Sequence, residues 1–245
     1  MNQAEVYVLC EGYHDRAFLA GLLVDGLGWT EPKRTDGRIV VKDPFTSTNL
    51  RGGEYGFAKG DRFIRVVPAQ TETKIRPLAD ARLKERRTKR LEALVLCFDS
   101  DTEDGRGLAS RRASFSGFAS TVGGTLDAEG MRFVIDGVPV HIVVWRTASD
   151  AVGEGVPQQH TLERVVCSAV SRTAPDRAAS VAAYLAATPL GRGGPKEHAW
   201  SYMAKWHGEN GCEDFYRQVW RDASISKALK DELERTGTWQ VFETV

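Results

Sequence analysis

At 245 residues the chain is long enough for one large domain, or for a catalytic domain with a smaller companion. Ordinary apolar content and plentiful charge point to a packed, soluble, globular protein. Basic and acidic residues balance at 33 each, which argues against a wholly basic nucleic-acid binder and leaves room for a local basic face.

Cys10, Cys97, Cys167 and Cys212 stand far apart and form no CxxC pair, so neither a zinc site nor a disulfide framework is expected. The N-terminal residues lack the charged-then-apolar pattern of a secretion signal, and no apolar run reaches membrane-spanning length. The expected setting is the reducing cytoplasm.

The first predicted element is a strand at Val6–Cys10, apolar nearly throughout and therefore buried on both faces. Glu11-Gly12 breaks it. A helix is predicted to begin near His14, with Phe18, Leu19, Leu22 and Leu23 forming one apolar stripe. Asp15 falls in its first turn, where the helix dipole favours a carboxylate. Residues from about 27 to 60 show little periodicity and read as an irregular insertion with a strand at Arg38–Lys42. A better strand follows at Arg62–Val67. From Glu72 to about Arg90 a helix-like segment is crowded with cations, among them Lys84, Arg86, Arg87, Lys89 and Arg90.

A second buried strand, Ala93–Phe98, runs into Asp99-Ser100-Asp101. A helix is expected over Arg111–Ala119. Met131–Ile135 and Val138–Trp145 are predicted to form a hairpin about Asp136-Gly137. From Thr161 to Arg235 the pattern is mainly helical, with breaks near Thr188–Pro195 and Gly208–Gly211. The expected class is α/β: a mainly parallel sheet flanked by helices, then a helical C-terminal region. The division expected is residues 1–155, with a long insertion at about 27–90, and residues 156–245 completing or flanking the site.

Both apolar strands end in acids, and ligand sites of α/β sheets lie beyond the carboxyl ends of their strands. In an extended segment, residues i and i+2 point to the same side, which would set Asp99 and Asp101 facing one gap. Carboxylates that close repel unless one is protonated or a cation lies between them. Oxygen-only donors suit Mg²⁺ or Mn²⁺. The competing reading is structural: acids after strands are common turn and helix-cap residues.

Val8-Leu9-Cys10-Glu11-Gly12-Tyr13-His14-Asp15 and Leu96-Cys97-Phe98-Asp99-Ser100-Asp101 together resemble the Toprim pattern of a strand ending in Glu-Gly and a later strand ending in Asp-x-Asp. The form with Asp15 is most similar to the nuclease branch, which includes the overcoming-lysogenization-defect nucleases, and to stand-alone Toprim proteins. The likeness covers roughly the first 165 residues in outline and only the two acidic motifs in detail. It implies a Toprim-like α/β domain with Glu11, Asp15, Asp99 and Asp101 holding two ions of Mg²⁺ or Mn²⁺. A later Glu and a Lys complete the site in that branch; the candidates here are Glu163 as a ligand and Lys196 as a catalytic cation. Against these stand a first-turn acid favoured by the helix dipole and a solvated lysine.

The implied activity is metal-dependent hydrolysis of DNA or RNA phosphodiesters, in phage defence or RNA processing. Glu11 would be ligand or general base, and one ion would acidify the attacking water while the other steadies the leaving oxygen. The basic stretch containing Lys84, Arg86, Arg87, Lys89 and Arg90 is a phosphate-tracking face or, equally, one solvated side of a helix. Trp200, Tyr202, Trp206, Tyr216 and Trp220 could stack bases, but their helical spacing favours packing in a core. His14 reads as a helix-start residue and His141 as core. No phosphate-binding G-x-x-x-x-G-K-[ST] loop occurs, so an ATPase would have to be a separate partner chain. Two rival readings remain. Phe98-Asp99-Ser100-Asp101-Thr102 also resembles the motif of haloacid-dehalogenase-like phosphatases, with Asp99 as nucleophile. The other is a Toprim-like module that binds nucleic acid or a partner without catalysis.

Overall fold

The computed structural model describes residues 4–31, 54–85, 91–101, 106–187, 193–206 and 211–245, with backbone alone at 4, 106, 205, 206 and 211–213. The elements in chain order are β1 (Ala4–Cys10), α1 (Tyr13–Gly21), β2 (Tyr55–Lys59), β3 (Arg62–Pro68), α2 (Glu72–Lys84) and β4 (Leu91–Asp99). There follow α3 (Arg106–Thr121), β5 (Arg132–Ile135), β6 (Val138–Trp145), α4 (Leu162–Thr173) and α5 (Pro175–Ala187). The chain ends in α6 (Pro195–Trp206), α7 (Gly211–Gln218), α8 (Ala223–Arg235) and α9 (Thr238–Thr244). A π-helical turn over Leu22–Gly26 extends α1.

The described strands form one six-stranded sheet in the order β2-β3-β1-β4-β6-β5. β1 runs parallel to both β3 and β4, while β2 pairs antiparallel with β3 and β5 with β6. This is the expected α/β class, a mostly parallel sheet followed by a helical region. β1 and β4 lack polar alternation because neighbours cover them on all sides: Val6, Val8, Leu9, Leu94, Val95 and Leu96 are wholly buried. The Asp136-Gly137 hairpin forms as expected, with both residues at positive φ (47° and 82°), as a tight two-residue turn between twisted strands requires.

β2 departs from expectation. Tyr-Gly-Phe-Ala-Lys is short and begins beside glycines, so its pattern is lost in an irregular stretch, yet five residues pair it to β3. α3 starts earlier than its apolar residues suggest, at Arg106. The strand expected at Arg38–Lys42 lies outside the described residues.

The chain divides into two compact units. The first comprises Met1–Phe98, Arg112–Val143 and Val241–Val245, and contains most of the sheet. Its core joins the central strands to α3 through Phe98 and Phe115, whose rings lie 4.7 Å apart, and joins α3 to β5 through Phe118 and Phe133. A wholly buried carboxylate, Glu5 of β1, is held by Arg65 of β3 at 2.5 Å and by Arg82 of α2. Glu54 and Glu85 back the two arginines. Burial lowers the Arg82 pKa, and it pushes the neighbouring Tyr7 up to about 12 with help from Glu54.

The second unit comprises Asp99–Arg111 and Val144–Gln240. α4 is its centre, packing on α5, α6 and α8. Eight of its twelve residues are buried, and for that reason it carries little polar surface in its first two turns. No helix among the described residues is long and apolar enough to cross a membrane.

Candidate functional site

Glu11 and Asp15 stand where β1 gives way to α1. Glu11-Gly12 ends the strand, and α1 begins at Tyr13. The Asp15 carboxylate folds back and accepts the Gly12 N–H at 3.0 Å, satisfying one of the donors a helix N-terminus leaves open. Asp15 is buried and Glu11 half-buried. Burial raises the Cys97 thiol pKa well above its usual range, and the carboxylates of Asp15 and then Glu11 raise it further. Both acids therefore lie near the carboxyl end of β4. The pairing register agrees: Leu9 is level with Leu96, so β1 and β4 run out side by side.

β4 ends in Asp99, whose Oδ1 accepts the N–H of Leu162, the first residue of α4, at 2.9 Å. The Asp99 carbonyl takes the Arg111 Nε–H at 3.1 Å. The chain then turns sharply. Ser100 and Asp101 both donate their N–H to the His160 carbonyl, at 2.9 and 3.1 Å, and Asp101 adopts φ +61°. Aspartate tolerates this left-handed conformation better than most residues. The extended geometry that would set Asp99 and Asp101 on one side is absent, because the strand stops at Asp99. The Asp101 side chain is 58% exposed and pairs with Arg111 at 3.0 Å.

Glu163 does open α4, as expected. It is buried, and its Oε1 accepts the Tyr216 hydroxyl proton at 3.3 Å. Glu163 follows Leu162, the residue whose N–H Asp99 accepts, so the two acids are neighbours along the start of α4. Lys196 lies exposed on the first turn of α6. Among the described residues, no three His, Cys, Asp or Glu side chains are grouped closely enough to hold a metal ion.

Of the basic stretch, Lys84 lies among the described residues; it is exposed and pairs with Asp80 at 2.6 Å. Arg86, Arg87, Lys89 and Arg90 lie outside them. The cations of α2 do not share one solvated face. Arg82 turns inward to Glu5, and Arg76 binds the Ser114 hydroxyl and sits over the Phe115 ring. Tyr202, Tyr216 and Trp220 are core residues, whereas Trp200 is exposed.

Arg164 and His160 are the residues that sequence reasoning missed. Arg164 is wholly buried, and its guanidinium donates to Thr147 Oγ1 and to the carbonyls of Gln158, Ser149 and Ala151. His160 accepts the Thr147 N–H on Nδ1, so its Nε2 carries the proton that it donates to Asp150 at 3.0 Å. Burial lowers the His160 pKa, and Arg164 lowers it further, which keeps the ring neutral. The segment between β6 and α4 is thus pinned to α4, and its end pins the Asp99–Asp101 turn. The available signal was a charged pair, Glu163-Arg164, set in an otherwise apolar helical stripe.

No family model matches the chain. No curated protein matches it either. In fold it is similar to a solved structure, the hypothetical protein PH0156 from Pyrococcus horikoshii OT3, with a TM-score of 0.70 over 99% of both chains. The two sequences are 15% identical, so the likeness is one of fold.

Proposed function

We propose that the chain is a divalent-metal-dependent phosphodiesterase acting on DNA or RNA, with Glu11, Asp15, Asp99 and Asp101 as its ion-holding acids. The observation that carries this reading is the adjacency of β1 and β4. Glu11-Gly12-x-x-Asp15 and Asp99-x-Asp101 follow the carboxyl ends of two neighbouring parallel strands, the edge at which α/β sheets place their ligands. The acids supply only hard oxygen donors, which suit Mg²⁺ or Mn²⁺. Asp15 and Asp99 accept helix-start N–H groups and Asp101 pairs with Arg111, so ion binding by Asp101 would draw it away from Arg111.

Bound ions would acidify a water and neutralise charge on the phosphate. Glu11, half-buried at the strand end, would take the proton from that water. Asp99 is oriented by the Leu162 N–H, and Glu163 by the Tyr216 hydroxyl. Lys196 and the segment from Lys84 to Arg90 would meet phosphates electrostatically. A separate ATPase or other protein would be a partner, and phage defence or RNA processing the setting, by family likeness alone. Free, buried Cys10, Cys97 and Cys167 suit the reducing cytoplasm.

The test is cleavage of single-stranded DNA and RNA oligonucleotides with Mg²⁺ or Mn²⁺, before and after Glu11→Gln. A loss of at least a hundredfold is expected. Absence of cleavage with either ion would sink the proposal, and hydrolysis of phosphate monoesters alone would favour the phosphatase reading through Asp99. The cap contacts of Asp15 and Asp99 favour a second reading, a binding module without catalysis. Nucleic-acid binding that survives Asp99→Asn with Asp101→Asn, without any cleavage, would select it.

A further inference from the structure

The second unit contains a cavity of about 390 Å³, within the range of small-molecule sites. Its walls are the 147–156 segment, the second half of α4 and the last turn of α8, all among the described residues. Ala151 and Val156 make the lining partly apolar. Its charged part is Arg172 of α4 with Glu232 and Arg235 of α8.

Glu232 fixes where both guanidiniums lie. The carboxylate is buried; its Oε1 accepts the Ala148 N–H at 2.6 Å, and its Oε2 lies 3.1 Å from Arg172 and 3.5 Å from Arg235. Both cations are therefore gathered at one oxygen beside Ala148, itself a lining residue. A guanidinium carries five N–H donors. Arg172 spends its Nη2 on Glu232 and on the Ala228 carbonyl, and Arg235 turns its Nη1 to Glu232. The two side chains remain 38% and 58% exposed, so their other donors are open to a ligand.

The charges do not cancel. One cation would balance Glu232, and here there are two. Behind them Arg164 feels the carboxylates of Asp150 and Glu232. Three arginines thus share two carboxylates, and among these groups one positive charge is left over. A cation in the last turn of a helix offsets its dipole, which explains each of Arg172 and Arg235 singly. It does not explain why both meet in the lining of one cavity. A planar carboxylate would be filled by a single guanidinium fork, whereas two forks suit the several oxygens of a tetrahedral phosphate. We infer that this cavity binds a small phosphorylated molecule, with Arg172 and Arg235 on its phosphate and the Ala151 and Val156 side of the cavity against its carbon skeleton. This site does not depend on the acids that follow β1 and β4.

The test is titration calorimetry of the full chain in EDTA with phenyl phosphate, benzoate, phenol and inorganic phosphate. Phenyl phosphate is expected to bind saturably and more tightly than the other three. Arg172→Gln and Arg235→Gln should each weaken its binding about tenfold, the cost of one charged hydrogen bond. The Arg235 side chain is mostly exposed, so Arg235→Gln keeps the fold even where Arg172→Gln does not. No uptake of phenyl phosphate, equal affinity for benzoate or phenol, or unchanged affinity in Arg235→Gln would overturn the inference. Because EDTA removes divalent ions, failure of the metal proposal leaves this result untouched.

Discussion

Asp99 Oδ1 accepts the N–H of Leu162 at 2.9 Å, so the last residue of β4 caps α4 from across 63 positions of chain. One carboxylate thereby serves two purposes, completing a helix N-terminus and presenting charge at the sheet edge. The substitutions that separate them differ in what they leave behind.

Asp99→Asn keeps an oxygen that can accept the Leu162 N–H but removes the charge. Folding stability should fall by less than about 1 kcal/mol, whereas Asp99→Ala should cost about 1 kcal/mol more through the lost cap. Both should abolish metal-dependent cleavage. Urea titrations beside oligonucleotide assays check this; equal activity in Asp99→Asn and wild type would make the cap Asp99's whole role.

Arg164 is the keystone of the second unit. Arg164→Met would leave the carbonyls of Ser149, Ala151 and Gln158 short of a donor and release the 147–158 segment. A loss of about 3–5 kcal/mol is expected, the usual cost of breaking a buried charged network. Thermal unfolding would register this as a fall on the order of 10 °C in Tm. A Tm within about 2 °C of wild type would contradict the network's role.

Glu5 is wholly buried between Arg65 and Arg82. Glu5→Gln should destabilise the first unit by about 3 kcal/mol, since it strands two partly compensated guanidiniums. Because the cluster is buried, that loss should change little between low salt and about 0.5 M salt. Denaturant melts at both ionic strengths measure it, and a loss that disappears with salt would place the cluster in solvent.

His141 has its pKa lowered to about 4 by burial first and by Arg132 second, against a smaller opposing pull from Asp127. As pH falls from its ordinary value of about 6.5, the unfolded chain takes up the proton before the folded one. Stability should therefore decline between about pH 6.5 and pH 4, and this contribution should level off below. For a half-buried ring, screened by solvent, roughly 1–2 kcal/mol is at stake. His141→Gln should flatten that part of the stability profile; an unchanged slope would assign the decline to other groups.

The two acidic strand ends, the Asp-Gly hairpin and the helical second half were legible because each is local. Apolar runs, turn residues and helical periodicity declare themselves within about ten positions. The extended geometry expected of Asp99-Ser100-Asp101 does not form, because the turn there is held by His160, a residue 59 positions beyond Asp101. Arg82 falls inside the cation-rich stretch from Glu72 to about Arg90, and its inward turn was illegible because sequence does not show that Glu5 waits beneath it. The roles of Arg164 and His160 were illegible for the same reason, since their partners are mostly backbone carbonyls and N–H groups that any residue could supply.

The central claim is that the acids following β1 and β4 take up divalent ions, and calorimetric titration of the folded chain with Mn²⁺ tests it most directly. Saturable uptake is expected in the wild-type protein, with loss in Glu11→Gln and in Asp99→Asn while both remain folded. No heat of binding in the wild type, or the same uptake in both variants, would contradict it.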